Sequence, residues 1–316
     1  MAEPTVFDIV EAIFGRIPGP ITPIRGQGVA NHVWEIRDGG DAYILKSNKN
    51  PQDESTFRKE AWCMTAARKA GLSGALPTGM GRLGATDWMM QTKIEGIAGN
   101  LWQGDRKTLW REMGRAAALL NSIPVEGFGT SAVFKNDVPV FDQPTWERNI
   151  RSLESDVFTD DILVRSGALT LAQNEQAKSI VAQIRKWDFK PVLSHHDILP
   201  QNTIVGWGGR TNLIDYGLAG GGRGAISELA TICAFAKDPG AAQAFCEGYG
   251  MSPSEYRDML PELQQILLLR VLLHARWAAY YQVEDMDSHI AYAREKAQAL
   301  LEPAAPVIQM PRAAIA

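Results

Sequence analysis

Three side chains in the second half of the chain stand at spacings that suit phosphoryl transfer. The run Ser194-His195-His196-Asp197-Ile198-Leu199-Pro200-Gln201-Asn202 holds a His-x-Asp pattern, with Asn five residues after the Asp. Asp215 follows Asn202 by thirteen residues, inside Leu213-Ile214-Asp215-Tyr216-Gly217. Moving a phosphoryl group requires one carboxylate to orient the attacking hydroxyl and accept its proton. A second, oxygen-rich pair must hold a divalent cation against the phosphates. On this reading Asp197, with His195 in the same motif, is catalytic, and Asn202 and Asp215 are ligands of Mg2+. The plainer alternative is that Asp197 and Asn202 cap turns, as these residue types often do. An apolar strand leading into Asp215, with Gly217 permitting a turn after it, favours the chemical reading.

Further upstream, Lys46 ends the apolar run Tyr43-Ile44-Leu45, and Glu60 lies fourteen residues on. A lysine ending an apolar strand reaches α- and β-phosphates, and a helical glutamate holds its ammonium by an ion pair. Alone, the pair reads equally as a solvated lysine and a surface glutamate. Arg25-Gly26-Gln27-Gly28-Val29-Ala30-Asn31 adds two glycines that let backbone approach phosphate oxygens. Asn31 stands where a third glycine of G-x-G-x-x-G would be, so an ordinary β-turn is the competing reading.

These residues need elements to carry them. The spacing predicts a short helix over 5–14, stopped by Pro18-Gly19-Pro20. Val33–Arg37 and Ala42–Lys46 read as strands around Asp38-Gly39-Gly40, a hairpin signal. Residues 55–70 read as a helix ended by Gly71, and Trp88, Met89 and Met90 as another strand. Past Gly96 helices are predicted over 105–121, 174–187, 226–236, 254–282 and 287–301, with short strands at Asn202–Val205 and Asn212–Ile214. The change of character places a small β-rich lobe at 1–93 and a larger helical lobe at 94–316, joined by a hinge at about 90–96. The class is α+β.

Composition narrows the field. A chain of 316 residues, 45% hydrophobic and 22% charged, can build a large core unaided. The net charge of -4 and the absence of Lys/Arg runs point away from nucleic acid. Three widely spaced cysteines imply neither a disulfide framework nor a thiolate zinc site. Early acidic residues are wrong for a signal peptide, and no apolar run spans a membrane. A cytoplasmic location is expected; the oligomeric state is not readable.

The chain resembles the aminoglycoside phosphotransferase / choline kinase family, which has the bilobal protein-kinase-like fold. His195–Asn202 is similar to the family's catalytic loop, and Leu213–Ala219 to its metal-binding segment. Phe57-Arg58-Lys59-Glu60-Ala61 looks like its regulatory helix, and Gly26–Val33 like its nucleotide loop. Gly114–Gly129 resembles the first long helix of the second lobe and the turn after it. The resemblance implies a kinase using ATP and Mg2+. It also implies a hinge at Gln91–Glu95 against which adenine lies, with Met90, Gln91 and Lys93 among the nucleotide contacts and the hinge contacts made by backbone groups. Four features depart from the pattern: His196 before the catalytic Asp, Asn121 where His is common, the glycine-rich stretch 220–224, and Glu228 where Asp is usual.

A small, amine-bearing acceptor with a hydroxyl is expected: an aminoglycoside-like sugar, or an amino alcohol such as choline. Trp277, Tyr280 and Tyr281 share a helix face that would suit a cation, or would equally pack in the core. Glu284, Asp285 and Asp287 would attract a cation or cap the next helix, with Asp287 or Ser288 as N-cap. Asp156, Asp160 and Asp161 form an acidic stretch whose plain reading is solvated surface. Two rivals stand beside the kinase reading. One is a nucleotide-binding pseudokinase. The other is a metal-dependent hydrolase using His195, His196 and Asp197, although adjacent histidines on extended chain point opposite ways and His32, His274 and His289 look isolated.

Overall fold

The computed structural model describes residues 4–24, 31–48 and 54–302. The glycines at 26 and 28 therefore lie outside the described residues, as does the tail from 303. The chain opens with helix α1 (Val6–Phe14), capped reciprocally by Thr5 and Asp8 and closed by Gly15 at φ 68°. Strands β1 (Ile21–Pro23), β2 (Asn31–Asp38) and β3 (Asp41–Asn48) follow, then helix α2 (Glu54–Lys69) and strands β4 (Pro77–Leu83) and β5 (Thr86–Thr92). They form one antiparallel sheet in the order β1-β2-β3-β5-β4. Its register pairs Lys46 with Met89 and Leu45 with Met90. Opposed residues share a face and neighbours alternate. Lys46 and Met89 thus look toward α2, while Leu45 and Met90 pack on Ile9 and Val10 of α1.

Strand β6 (Gly96–Ala98) does not extend that sheet. It pairs instead with β10 (Thr203–Gly206), which pairs with β11 (Thr211–Leu213). Helix α3 (Arg106–Asn121), N-capped by Asp105, leads to the hairpin β7 (Phe128–Lys135) and β8 (Val138–Gln143). Helices α4 (Trp146–Phe158), α5 (Ile162–Arg165) and α6 (Leu171–Ile184) come next, followed by β9 (Val192–Ser194). Strand β12 (Gly220–Gly222) threads between β7 and β9. A β-carbon at Gly220 or Gly221 would lie 2.0 or 2.1 Å from the carbonyl oxygen of Gly129 or Gly127, so this glycine run answers to close backbone approach. Helices α7 (Ala225–Phe235), α8 (Ala241–Tyr249), α9 (Pro253–Tyr281) and α10 (Met286–Leu301) complete a mainly helical C-terminal region behind a β-sheet N-terminal region, an α+β architecture.

Two cores hold this region. One gathers α4, α6, α9 and α10 around Ile150, Val181, Leu268 and Ala293. The other joins Phe57, Ala61 and Met64 of α2 to Leu109 and Met113 of α3, and to Leu193, Leu213 and Tyr216. Helix α2 thus shares apolar burial with both regions. No described helix is long and apolar enough to cross a membrane.

Candidate active site

The ladder between β10 and β11 sets the site. Thr203 opposes Leu213, and Ile214 N donates to Asn202 O at 3.0 Å, so Asn202 and Asp215 stand at the same end of the ladder. Asn202 Nδ2 donates to Asp197 Oδ2 at 2.7 Å and to Asp197 O at 2.9 Å. The amide pins the carboxylate, and its oxygen accepts no hydrogen bond among the described residues. The turn after β11 falls on Asp215 itself, at φ 62°, and Gly217 has no positive φ. The glycine was expected to permit that turn. Asp tolerates the left-handed region well enough to take it.

From the other side, Lys46 Nζ lies 2.6 Å from Glu60 Oε1 and 3.1 Å from Asp215 Oδ1. Both Lys46 and Glu60 are buried, while Asp215 is half-exposed. Burial works against the Lys46 ammonium, but the Glu60 and Asp215 carboxylates outweigh it and raise its pKa above the ordinary value. Burial likewise works against the Asp215 carboxylate, and the Lys46 charge overcomes it and lowers its pKa.

A buried carboxylate anchors the loop before Asp197. Glu228 on α7 accepts from His195 N at 2.6 Å and from His196 N at 3.2 Å. Asn121, at the end of α3, donates to Leu193 O at 2.9 Å and reaches Glu228 Oε1 at 3.5 Å. Thr231 Oγ1 donates to His196 O at 2.9 Å, and Arg270 Nη2 donates to the same carbonyl. These bonds hold His196 at φ 62°, a strained conformation for a residue with a side chain.

His195 is fully buried, with Nε2 3.1 Å from Ile214 O. That contact ties the loop to the Asp215 strand, and His195 is not among the residues that line the cavity beside His196. His196 instead lines a cavity, and burial, with Arg270 close by, lowers its pKa to about 3, so the imidazole is neutral.

The remaining nucleotide contacts expected from the resemblance fall unevenly. Asn31 opens β2 opposite Asn48. Gln91, buried, shares the Lys46 face of β5, whereas Met90 faces α1 on the opposite side of the sheet because side chains alternate along a strand. Lys93 gives its N–H to Ala42 O, and its ammonium pairs with Glu35 at 3.3 Å and Glu95 at 3.1 Å. Both Met90 and Lys93 therefore have their side chains engaged away from Lys46. Among residues the sequence reading passed over, Lys59 is buried and donates to Gly217 O at 2.7 Å and to Thr130 O. Arg270 is another. Neither stood out in the sequence, since Lys59 sits between Arg58 and Glu60 and Arg270 in a long helix.

A cavity of about 280 Å³ opens beside His196. Thr130, Asp142, Asn149, Asp156, Arg270 and Leu273 are among its walls. The aromatic trio is elsewhere: Trp277, Tyr280 and Tyr281 are 37%, 59% and 67% exposed, so they neither line the cavity nor fill the core. Of the acidic stretch, Asp156 reaches the cavity and Asp160 pairs with Arg276 at 2.8 Å. The N-cap of α10 is Asp285, two residues before Asp287 and three before Ser288, the positions expected. His274 and His289, read as isolated, meet at 3.0 Å between α9 and α10. No group of three or more potential metal ligands of the His, Cys, Asp or Glu type occurs among the described residues.

The model of the phosphotransferase enzyme family, APH, matches residues 21–262, about three quarters of the chain, including Lys46, Glu60, Asp197, Asn202 and Asp215. The chain belongs to this family. The phosphotransferase also shares its fold with solved structures. The aminoglycoside phosphotransferase APH(4)-Ia superposes with a TM-score of 0.75 at 16% identity, covering 95% of this chain and 98% of that one. A putative fructosamine-3-kinase from Haemophilus somnus gives 0.65 at 15% identity, covering 94% and 97%. The spectinomycin phosphotransferase APH(9)-Ia, solved with ADP and spectinomycin, gives 0.59 at 13% identity, covering 93% and 97%. No curated protein matches the phosphotransferase. At these identities the structural likeness speaks for the fold.

Proposed function

We propose that this phosphotransferase is a small-molecule kinase that moves the ATP γ-phosphoryl group onto a hydroxyl of a small, amine-bearing acceptor. One observation carries the reading. Two hydrogen-bonded chains, Asp197–Asn202 and Glu60–Lys46–Asp215, meet at one end of the β10–β11 ladder. That arrangement supplies a base, a cation for phosphate and two oxygen donors within one cluster. Related folds solved with ADP and spectinomycin support a nucleotide and a small acceptor here.

On this reading Asp197 takes the proton of the acceptor hydroxyl, with Asn202 fixing the carboxylate's orientation. Lys46 contacts the α- and β-phosphates, and Glu60 keeps the ammonium charged and in place. The amide oxygen of Asn202 and the Asp215 carboxylate are hard donors that fit Mg2+, which needs few protein ligands because phosphates and water complete its shell. When bound, the ion neutralises phosphate charge. We place the nucleotide between a lobe of residues 1–93 and one of 94–316, with the hinge at about 90–96. Three free cysteines, two of them buried, support a reducing, cytoplasmic setting.

The test is ADP release from Mg·ATP across a panel of amino alcohols and aminoglycosides. Wild type is expected to turn over with at least one acceptor, and Asp197→Ala to lose at least about 100-fold in kcat while still binding ATP. Near-normal turnover by Asp197→Ala would remove the base assignment.

A further inference from the structure

Lys59 is the buried neighbour of Glu60 on α2, at 4% exposure. Successive residues of a helix point about 100° apart, so α2 gives Glu60 to Lys46 and turns Lys59 elsewhere. Lys59 Nζ donates to Gly217 O at 2.7 Å and to Thr130 O. Gly217 sits in the turn that begins at Asp215, and its own N–H helps lower the pKa of the Asp215 carboxylate. Thr130 is on β7 and lines the cavity beside His196. The β7–β8 register shifts between Phe128 and Ala132, so Thr130 lies where that ladder is interrupted, and the lysine supplies its carbonyl with a donor. One ammonium therefore holds the backbone of the Asp215 turn and the backbone of the cavity wall at once. A weaker clamp acts farther out. Arg58 pairs with Asp137 at 2.7 Å in the β7–β8 turn, and its guanidinium lies 4.2 Å from the centre of the Phe134 ring. Arg58 and Asp137 are both exposed, so their pair contributes little.

Resting on the kinase reading, which puts Mg·ATP at Asp215, we infer that Lys59 is a positioning residue that makes the Asp215 turn and the cavity wall one unit, so that nucleotide bound at the first tightens the second. Such coupling is reciprocal in binding free energy, and a molecule held by the cavity wall strengthens Mg·ATP binding by the same factor. A second route between the two places exists. Strand β12 follows the turn directly and pairs with β7 at Gly221 and Gly129. That route runs through backbone alone and does not need Lys59, so substitution of the lysine tells the two apart.

Amide hydrogen exchange on the full chain reads both segments with Mg·ATP as the probe, and calorimetry checks that the probe binds. In wild type, saturating Mg·ATP should slow exchange by about fivefold or more over 215–219 and also over 128–135, the low end of coupling between sites. Lys59→Met should keep the slowing over 215–219 and lose it over 128–135. Without nucleotide, the same variant should exchange about tenfold faster in both segments, the size expected of lost hydrogen bonds to a charged group. Lys59→Arg keeps the charge and the N–H donors and should restore the protection of 128–135. Arg58→Ala should leave 215–219 and the effect of Mg·ATP as in wild type. Lys59→Gln carries the same comparison if a urea titration shows Lys59→Met unfolded. Protection of 128–135 that persists in the Lys59 variant assigns the coupling to β12 and overturns the inference, as does wild-type protection confined to 215–219. If wild type binds no Mg·ATP, the kinase reading falls and the tether is judged on nucleotide-free exchange: faster exchange in both segments of the variant supports it, and an unchanged rate in either overturns it.

Discussion

At the scale of single residues, the cluster is built on charges kept out of water by pairing. Lys46 and Glu60 are both buried, at 7% and 1% exposure. Removing one partner of such a pair leaves a carboxylate with nothing to balance it, so Lys46→Met should cost about 3–5 kcal/mol in a urea titration. Glu60→Gln in the same chain should recover part of that loss. An unchanged midpoint for Lys46→Met would mean the pair contributes nothing to folding. His196 makes a different statement. The folded chain keeps it neutral down to about 3, whereas an unfolded histidine protonates near 6.5. Between those values the unfolded chain holds more protons, so stability falls as pH falls from about 6.5 toward 3. Arg270, His195 and Lys59 set this depression together with burial, and His274, whose pKa burial lowers to about 4, adds a parallel term. His196→Asn should flatten the slope by at most about 1.4 kcal/mol per pH unit, read from denaturation midpoints between pH 4 and 7. A slope equal to wild type would contradict the buried neutral imidazole.

At the scale of elements, the loop between β9 and β10 is held by helices that come later in the chain. Glu228 of α7 accepts two backbone N–H groups, and Arg270 of α9 clasps the next carbonyl. Glu228→Gln keeps the shape but turns half of the acceptor into a donor facing those N–H groups. It should lower kcat more than it changes KM for ATP and cost about 1–3 kcal/mol of stability, whereas a change confined to KM would place its role elsewhere. This arrangement also explains what sequence could and could not convey. Helices α3, α9 and α10 were legible to within a residue or two, because long apolar periods at helical spacing have few other solutions. Asn202 and Asp215 were readable as neighbours, since one short hairpin brings them together. Strands β9 and β12 were not readable: each has three residues, β12 is all glycine, and only their partners make them strands. The β7–β8 hairpin and α4, which wall the cavity beside His196, were not read from the sequence, although Trp146, Ile150, Leu153 and Val157 recur at helical spacing in α4. Arg270 meets His196 across 74 residues, and periodicity does not say which turn of a long helix faces which loop.

At the scale of the whole molecule, α2 does the joining. Phe57 and Met64 share a core with Met89 of the first sheet and with Leu193 and Leu213 of the C-terminal region. The helix that presents Glu60 is therefore packed on the region that presents Asp197, Asn202 and Asp215. The weak net charge of -4 leaves recognition to these local groups rather than to a long-range field. The central claim is that residues far apart in the chain make one magnesium-nucleotide site. Calorimetric titration of ATP with and without Mg2+ tests it without needing an acceptor. Wild type and Asp197→Ala should bind Mg·ATP alike, while Asp215→Ala should lose about tenfold or more of the magnesium-dependent affinity. Asp215→Ala binding Mg·ATP as tightly as wild type would contradict the account.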